Sequence, residues 1–543
     1  MRTRAAGVIW MAAAVVAWPT TAAGQASAGH PADGWWVDGW YLEWSPLRQL
    51  GDLPRPGPAP QPRPSLLLSP DPEVGLFWTG GNPGAVATDV RESHAEFHAM
   101  HAGQWGEYHR PLEAGESALR GLGGVGWRPL GDWGAAVGTV AAGRREMDPG
   151  PSGLLLQPYS SVPQVFTDSV APAMEHTFAQ LQGALSWSGR GWGLGAAAGY
   201  QVAEGGARAT RVPRIGQIAE PGVTVGVTRS VGDALNLGVH GRWRGMAETV
   251  QVVPTRGATT VHVFHGYGEP TPIDVSTNLY RRRVDRSAVG AGLGASGSLG
   301  RTRWAAHGER TRMDERQTSD QRAAVDPRLD RWRSEGWEFG AAVQLEAALG
   351  LLTVRGRWAS FSGEGERHAL EELVFLAEES ARRGSVELRS RSRGPWRYAA
   401  ALTFAHEDRE RRDEVALLRT EVETVAAGLA LEVAHRFGAR LDGSLGYGFQ
   451  AYAARAGVPP SQDAGPLFGE LLWPGVLVEA TPAASHSVST TLRWATGRDA
   501  DLTLRVAWSR TAPQEGDRHF AELPGGSRNA LRISLGSALG GGR

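Results

Sequence analysis

The stretch Thr177–Val202, TFAQLQGALSWSGRGWGLGAAAGYQV, decides the fold. Apolar or small residues occupy every second position of two segments, and mostly polar or small residues lie between them, which is the period of a β-strand. The tight turn Gly189-Arg190-Gly191 separates the two segments, which end and begin at Trp187 and Trp192. We therefore expect a hairpin whose two tryptophans lie at one boundary between lipid and water.

The same alternation recurs along most of the chain after about Val90. Within Leu235–Arg244 the apolar residues fall on one face, whereas His240, Arg242 and Arg244 fall on the other. Arginines on the inner face are too costly for the dry core of a β-sandwich, but a water-filled lumen solvates them. The pattern predicts an all-β fold, a transmembrane antiparallel up-and-down β-barrel.

Turns and connections set the expected strand count. The long connections are expected at Glu146–Met174, Thr249–Val284 and Gly363–Gly384, and the region 459–485 reads as a long outer loop. With a first strand at Glu92–Met100 and a last at Asn529–Ala538, we expect about 18 strands, with short periplasmic turns and long extracellular loops. The short turns are expected near Gly131, Arg190, Gly232, Arg301, Leu349, Gly394, Gly438 and Arg498.

Composition and charge narrow the class of protein. The chain has 73 glycines and 21 tryptophans, which suit membrane strands, and it has no cysteine, which excludes a disulfide scaffold. Lysine and arginine number 56 against 57 acidic residues, for a net charge of -1. This balance gives no electrostatic reason to bind nucleic acid, so no nucleic-acid partner is expected.

The N-terminus has the features of a secretory signal peptide. Arg2 and Arg4 precede an apolar run, Ala5–Trp18, that is too short to span a bilayer. Small residues follow, and cleavage is expected after Gly24 or Ala28. We therefore assign residues 1–28 to a signal peptide.

The segment between the signal peptide and the barrel has its own composition. Trp35–Trp44 (WWVDGWYLEW) is aromatic, and Pro54–Pro64 (PRPGPAPQPRP) favours an extended conformation. We interpret residues 29–89 as an N-terminal aromatic and proline-rich segment, periplasmic or acting as a plug. Residues 90–543 are then the barrel.

Several short motifs resemble those of a known family. They are Gly75–Ala85 (GLFWTGGNPGA), the histidine-rich strand from Glu92 (ESHAEFHAMH), Leu156–Tyr159 (LQPY) and Val162–Ser169 (VPQVFTDS). The sequence is similar to an uncharacterised, domain-of-unknown-function family of outer-membrane β-barrels of Gram-negative bacteria, often encoded near TonB-dependent receptors. The resemblance implies an outer-membrane location and a TonB-dependent receptor as a possible partner. A barrel of this kind also implies contact with outer-membrane lipid, lipopolysaccharide and the outer-membrane assembly machinery.

One cluster has the residue types of a metal site. Strand alternation places His94, Glu96 and His98 on one face, and imidazole and carboxylate are ligands for zinc, copper or nickel. The more common meaning of such a pattern is a polar lumen strand at the barrel mouth. Both interpretations stay open from the sequence.

A second set of charged residues is predicted to line the lumen. Inward arginines would favour anionic solutes in a pore, whereas pairing with Glu338, Glu346 and Glu387 would only hold water or a plug. The predicted lumen-lining residues are Arg242, Arg244, Arg355, Arg357, Arg389, Arg391, Arg397, Glu338 and Glu346.

These observations favour passage of a small solute, by a porin-like channel or an accessory component of nutrient uptake. The alternative is a surface-binding or adhesion barrel that acts through its extracellular loops. An outer-membrane hydrolase is less favoured because the chain has no G-x-S-x-G motif. Gly121–Gly126 (GLGGVG) has no helix pattern after it, so we interpret it as a glycine-rich strand. We expect no enzymatic activity and no cofactor.

Overall fold

The computed structural model describes most of the barrel region. The described residues do not include the predicted signal peptide, residues 29–81, Arg391 or much of the outer connections. The described ranges are 82–90, 93–108, 114–148, 166–168, 173–207, 214–232, 234–252, 260–263, 271–274, 280–319, 328–367, 372–390, 394–415, 417–456, 473, 477–478, 480–496, 500–514 and 526–539.

Nearly all of the regular structure is β-strand. A 3-10 turn, Pro83–Ala85, leads into one short helix, α1 (Val86–Asp89), and no helix within the described ranges is long and apolar enough to span a bilayer. The strands are β1 His94–Gly106, β2 Glu116–Pro129, β3 Gly134–Asp148, β4 Phe166–Asp168, β5 Met174–Gly189, β6 Trp192–Ala207, β7 Arg214–Val231, β8 Leu235–Val252, β9 Thr260–Val263, β10 Thr271–Asp274, β11 Tyr280–Leu299, β12 Thr302–Ser319, β13 Arg328–Ala347, β14 Gly350–Arg367, β15 Glu372–Ser390, β16 Trp396–Asp413, β17 Leu418–Phe437, β18 Leu441–Ala456, β19 Ala483–Ala495, β20 Ala500–Pro513 and β21 Arg528–Leu539.

Eighteen of these strands form one closed antiparallel sheet in which each strand pairs with its neighbours along the chain. The ring closes because β21 pairs with β20 on one side and with β1 on the other, for example Ala95 opposite Leu539. The predicted fold class and strand count are confirmed.

Short turns join the strands at the end of the barrel where β1 begins, hereafter the short-turn end. The hairpin of β5 and β6 is the one predicted from the sequence, with Gly189 opposite Trp192. Its two central residues, Arg190 and Gly191, have φ values of 50° and 75°. Two successive positive φ values give the turn a twist that matches the strands it connects.

One predicted connection is wrong. The stretch Gly363–Gly384 was expected to be a long outer loop, but β14 continues to Arg367 and β15 begins at Glu372. These strands run well past the roughly 9–11 residues that cross a bilayer. Beyond that length the outward side chains of β14, Ser360, Ser362 and Glu364, are polar, so the apolar alternation that marks a membrane strand disappears.

The outer face carries an apolar band bounded by aromatic rings. Trp187 and Trp192 mark its lower edge at the short-turn end, and Tyr200 lies farther along β6 on the same face. Eight residues of a tilted strand separate Trp192 from Tyr200, which corresponds to roughly 20 Å along the barrel axis. Leu185, 60% exposed, lies between these levels. This is the lipid-facing surface of a transmembrane barrel.

Residues just before the barrel lie inside it, at the short-turn end. The side-chain amide of Asn82 donates to the backbone oxygens of Val227 and Val239, at 3.2 and 3.1 Å. The backbone oxygen of Gly84 accepts hydrogen bonds from the hydroxyls of Ser186 and Thr228, both at 3.2 Å. The segment is thereby attached to β5, β7 and β8.

This attachment needs a wall without side chains. Gly195 and Gly226 lie so close to Pro83 and Asn82 that neither position has room for a β-carbon. Next to them, Val86 and Val90 pack on an apolar patch of the inner wall formed by Val125, Trp127, Ala135 and Ala184. An apolar cluster inside the barrel therefore lies under residues 82–90.

The outer connections also contain ordered structure. Strands β4, β9 and β10 form a separate three-stranded sheet that joins the connection after β3 to the one after β8. Within the predicted loop 459–485, Val478 packs with Tyr108, Ala426 and Tyr452, and its backbone oxygen accepts from the Tyr108 hydroxyl at 3.2 Å. Since Ala426 and Tyr452 belong to the inner face, this part of the loop folds back into the barrel.

The first prediction concerns the lipid-facing band. Leu185→Arg should lower the free energy of unfolding by about 2–4 kcal/mol, because an arginine at mid-depth must be taken out of water. The measurement is reversible urea unfolding in lipid vesicles, read by heat-dependent gel mobility.

Thr177→Arg is the matched control, since Thr177 is outward on the same strand but beyond the band. It should change the free energy by less than about 0.5 kcal/mol. Equal losses for the two variants would mean that the band is not the lipid boundary.

Candidate functional site

The inner wall carries a set of ion pairs whose carboxylates are mostly buried, and we call this set the charged belt. It consists of four groups, and in each group one glutamate lies between two cationic or imidazole side chains of the same wall. The groups are Glu309 with His240 and Arg242, Glu338 with His307 and Arg357, Glu387 with Arg355 and Arg389, and Glu407 with Arg383 and Arg409.

Glycines on the intervening strands allow side chains from non-adjacent strands to meet. Gly292 of β11 lies directly between His240 of β8 and Glu309 of β12 in the strand register. Because Gly292 has no side chain, the His240 ring lies over it and its Nε2 reaches Glu309 at 3.1 Å. Arg242 closes the group by pairing with the same carboxylate.

The second group has a related arrangement two strands further along the wall. Gly340 of β13 lies between His307 of β12 and Arg357 of β14. The His307 ring covers Gly340, and its Nε2 lies 3.4 Å from Glu338. Arg357 donates to the other oxygen of Glu338 at 2.6 Å.

The other two groups lie on β14, β15 and β16. Arg355 lies 3.3 Å from Glu387, which also accepts a hydrogen bond from Arg389. Arg383 and Arg409 lie 3.0 and 3.2 Å from the two oxygens of Glu407. Each carboxylate is therefore shared by two guanidinium groups.

The belt is not electrically neutral. It contains six arginines and four glutamates, which leaves two positive charges before the histidines are considered. The accessible groups are also cationic: the side chains of Arg355 and Arg357 are 39% and 38% exposed, whereas those of Glu387 and Glu407 are 8% and 3% exposed. Arg355 and Arg357 are the most exposed cations of the belt, whereas the side chain of Arg409 is only 5% exposed.

The other predicted lumen residues are spread along the same wall. Arg244 is inward on β8, and Glu346 is inward on β13 near the short-turn end. Arg397 lies 3.7 Å from Asp442 of β18, so it belongs to a separate pair. Arg391 lies outside the described residues.

The predicted metal residues lie together on the inner face of β1. The carboxylate of Glu96 is between the two imidazoles, 3.9 Å from His94 Nε2 and 3.9 Å from His98 Nδ1. The His94 ring stacks on Trp127 at 4.3 Å between centroids, and Arg505 approaches Glu96 at 3.8 Å. Metal binding at this place stays a prediction, with Arg505 as a competing partner for the carboxylate.

Sequence reasoning did not single out two of the four glutamates of the belt. Glu309 and Glu407 have inward positions that the alternation of β12 and β16 gives once the strands are placed. Their pairing with particular arginines depends on strand register. The sequence does contain one signal for such pairs, a glycine such as Gly292 on the strand between two charged or polar residues. Because glycine has no side chain, the residues on either side of it can make contact.

One known protein family matches most of the chain. Residues 84–537 match the family described as "Family of unknown function (DUF6850)", which confirms the resemblance drawn from the sequence. No curated protein matches the sequence significantly.

Solved structures give weaker likenesses. The ferric preacinetobactin receptor BauA of Acinetobacter baumannii is 8% identical, with 82% of this chain and 80% of that chain covered and a TM-score of 0.38. The outer membrane transporter YddB of Escherichia coli is 8% identical, with 83% and 81% covered and a TM-score of 0.38. A FadL homologue of Pseudomonas aeruginosa is 10% identical, with 85% and 93% covered and a TM-score of 0.31.

A stability prediction follows from the belt. Glu309→Ala should lower the free energy of unfolding by about 3–5 kcal/mol, because it leaves the buried Arg242 and His240 without their carboxylate. Glu364→Ala is the control, because Glu364 is half exposed and its ion pair with Arg333 is long, at 3.8 Å. That change should cost about 0–1 kcal/mol. Urea unfolding of both variants measures the difference. If Glu309→Ala lowers the free energy of unfolding no more than the control does, the ion pairs of Glu309 do not stabilise the barrel.

Proposed function

The chain belongs to the family of unknown function DUF6850, and from its geometry we propose that it lies in the bacterial outer membrane and passes small anionic solutes through its lumen. The outer-membrane location is supported by the apolar outer band and by closure of the sheet, the two features that let strands cross a lipid bilayer. The solute class is supported by the charged belt.

The observation that carries the solute class is the unequal exposure of the two signs of charge. In each of the two groups that contain Arg355 and Arg357, the guanidinium is the accessible partner and the carboxylate is covered. A solute in the lumen therefore meets planar donors first, and these bind carboxylate or phosphate groups in a bidentate manner. The same donors repel cations.

A porin-like channel and an accessory component of nutrient uptake both fit this proposal. Interaction with a TonB-dependent receptor, with lipopolysaccharide or with the assembly machinery remains a proposal that derives from the sequence. The proposal assigns no catalytic step and no cofactor to the chain. Labelling of the purified protein by a fluorophosphonate probe would contradict that part.

The proposal predicts an anion-selective current. Purified full-length protein in a planar bilayer under a KCl gradient should give a reversal potential of the sign that anion permeation produces. Arg355→Gln with Arg357→Gln should bring the anion-to-cation permeability ratio close to one, because the accessible positive charges are removed. Heat-dependent gel mobility shows that this variant still folds.

Arg333→Gln is the matched control, because Arg333 is also half exposed but faces outward on β13. It should leave the permeability ratio unchanged. A cation preference of the wild type would overturn the anionic class, and a folded barrel without any current would overturn solute passage.

A second candidate is a surface-binding barrel. The observation in its favour is the three-stranded sheet of β4, β9 and β10, because it joins two long outer connections into one ordered structure. A binding surface built on rigid strands holds its contacts better than free loops do. Deleting residues 253–279 removes β9 and β10 and separates the candidates, since it should leave the current intact if the lumen alone carries the function.

A further inference from the structure

The outer face of the barrel above the apolar band is unusually rich in charge. Strands β12 to β17 continue past the upper aromatic residues, and many of their outward residues there are arginine, aspartate or glutamate. A cavity of about 540 Å³ lies on this face, and its lining includes Trp337, Asp408 and Glu423. This region is outside the membrane-spanning part of the strands.

Strand register places like charges directly opposite each other in this region. In one row Glu410 of β16 is paired with Glu421 of β17, an arrangement that is destabilising unless a cation lies nearby. The sheet supplies those cations, because Arg419 lies 2.9 Å from Glu410 and also pairs with Glu421. Arg412 donates a further hydrogen bond that holds the pKa of Glu410 below its ordinary value.

The next row toward the membrane has the same opposed carboxylates without the arginines. Asp408 is paired in register with Glu423. Within the described part of the chain, neither carboxylate forms an ion pair with an arginine or a lysine, and the shared partner is His406. The sheet therefore places an imidazole where the row above has guanidiniums.

The three side chains have the spacing of a metal site. His406 Nε2 lies 3.2 Å from Glu423 Oε1 and 3.7 Å from Asp408 Oδ1, and the three ligand atoms lie within 4.8 Å of one another. Ligands about 2.1 Å from a tetrahedral zinc ion are about 3.4 Å apart. Small rotations of exposed side chains are enough to bring all three atoms onto one ion.

We propose that His406, Asp408 and Glu423 bind one divalent transition-metal ion on the outer surface of the barrel. Two carboxylate oxygens and one imidazole nitrogen suit zinc and related first-row ions better than calcium or magnesium, which prefer oxygen ligands alone. The ion neutralises the opposed carboxylates as Arg412 and Arg419 do in the neighbouring row. Its remaining coordination positions face away from the barrel.

The test is calorimetric titration of the purified full-length barrel with Zn²⁺ in detergent. Wild type should bind zinc at this site, and Asp408→Asn with Glu423→Gln should weaken binding by more than about 100-fold, since two of three ligands are lost. His406→Ala should weaken it by at least about 10-fold. These substitutions are on an exposed surface, and heat-dependent gel mobility checks that each variant folds.

Two further variants make the result specific. Glu410→Gln with Glu421→Gln removes an equal number of opposed carboxylates one row away, and it should weaken zinc binding far less than the Asp408/Glu423 variant does, because it removes no ligand. His94→Ala with His98→Ala removes the separate candidate on the inner face of β1 and should also leave this site intact. Zinc heats that are absent in wild type, or equal in wild type and the Asp408/Glu423 variant, would overturn the proposal.

Discussion

Every backbone N–H and C=O group that lies in lipid must be satisfied within the protein, and this constraint requires the sheet to close. The pairing of β21 with β1 meets it, since an open edge would leave a row of unpaired groups in the hydrocarbon. All other features depend on this closure. It creates an inside and an outside, so alternate residues of one strand face solvents of opposite character.

The sequence predicts the fold well where that contrast of solvents is strong. The hairpin Thr177–Val202 and all eight short turns could be placed because lipid on one face and water on the other force a two-residue period. The alternation of apolar and polar residues disappears where both faces of the strand are exposed to water. Ser362 and Glu364 face outward above the band, so β14 and β15 looked like a loop there, although backbone pairing continues to Arg367 opposite Glu372.

The same limit applies to the candidate sites. Alternation along a strand predicts which residues face inward, whereas strand register decides which of those residues contact each other. Alternation placed Arg355, Arg357 and Glu338 on the inner side of their strands before the fold was known. It could not say that His240 reaches Glu309 across Gly292, because that contact depends on the relative positions of three strands. Nor could it find His406, Asp408 and Glu423, whose carboxylates come from different strands and meet only through the pairing of β16 with β17.

Glycine links the two kinds of information. From the sequence alone, a glycine-rich strand is predicted to be a membrane strand with small residues, and the structure shows that its glycines have different roles on the inner wall. Gly195 leaves space for the backbone of Pro83 and Gly84, and Gly226 leaves space for the side chain of Asn82, so these residues are attached to the wall. Gly292 and Gly340 leave space for imidazole rings and so connect charged groups two strands apart. Residues 82–90 contact β2, β3 and β5 to β8, and the charged belt occupies β8 and β12 to β16, so the two features share only β8. The arginines that we propose to meet the solute, Arg355 and Arg357, lie on β14, which is not among the strands that hold residues 82–90.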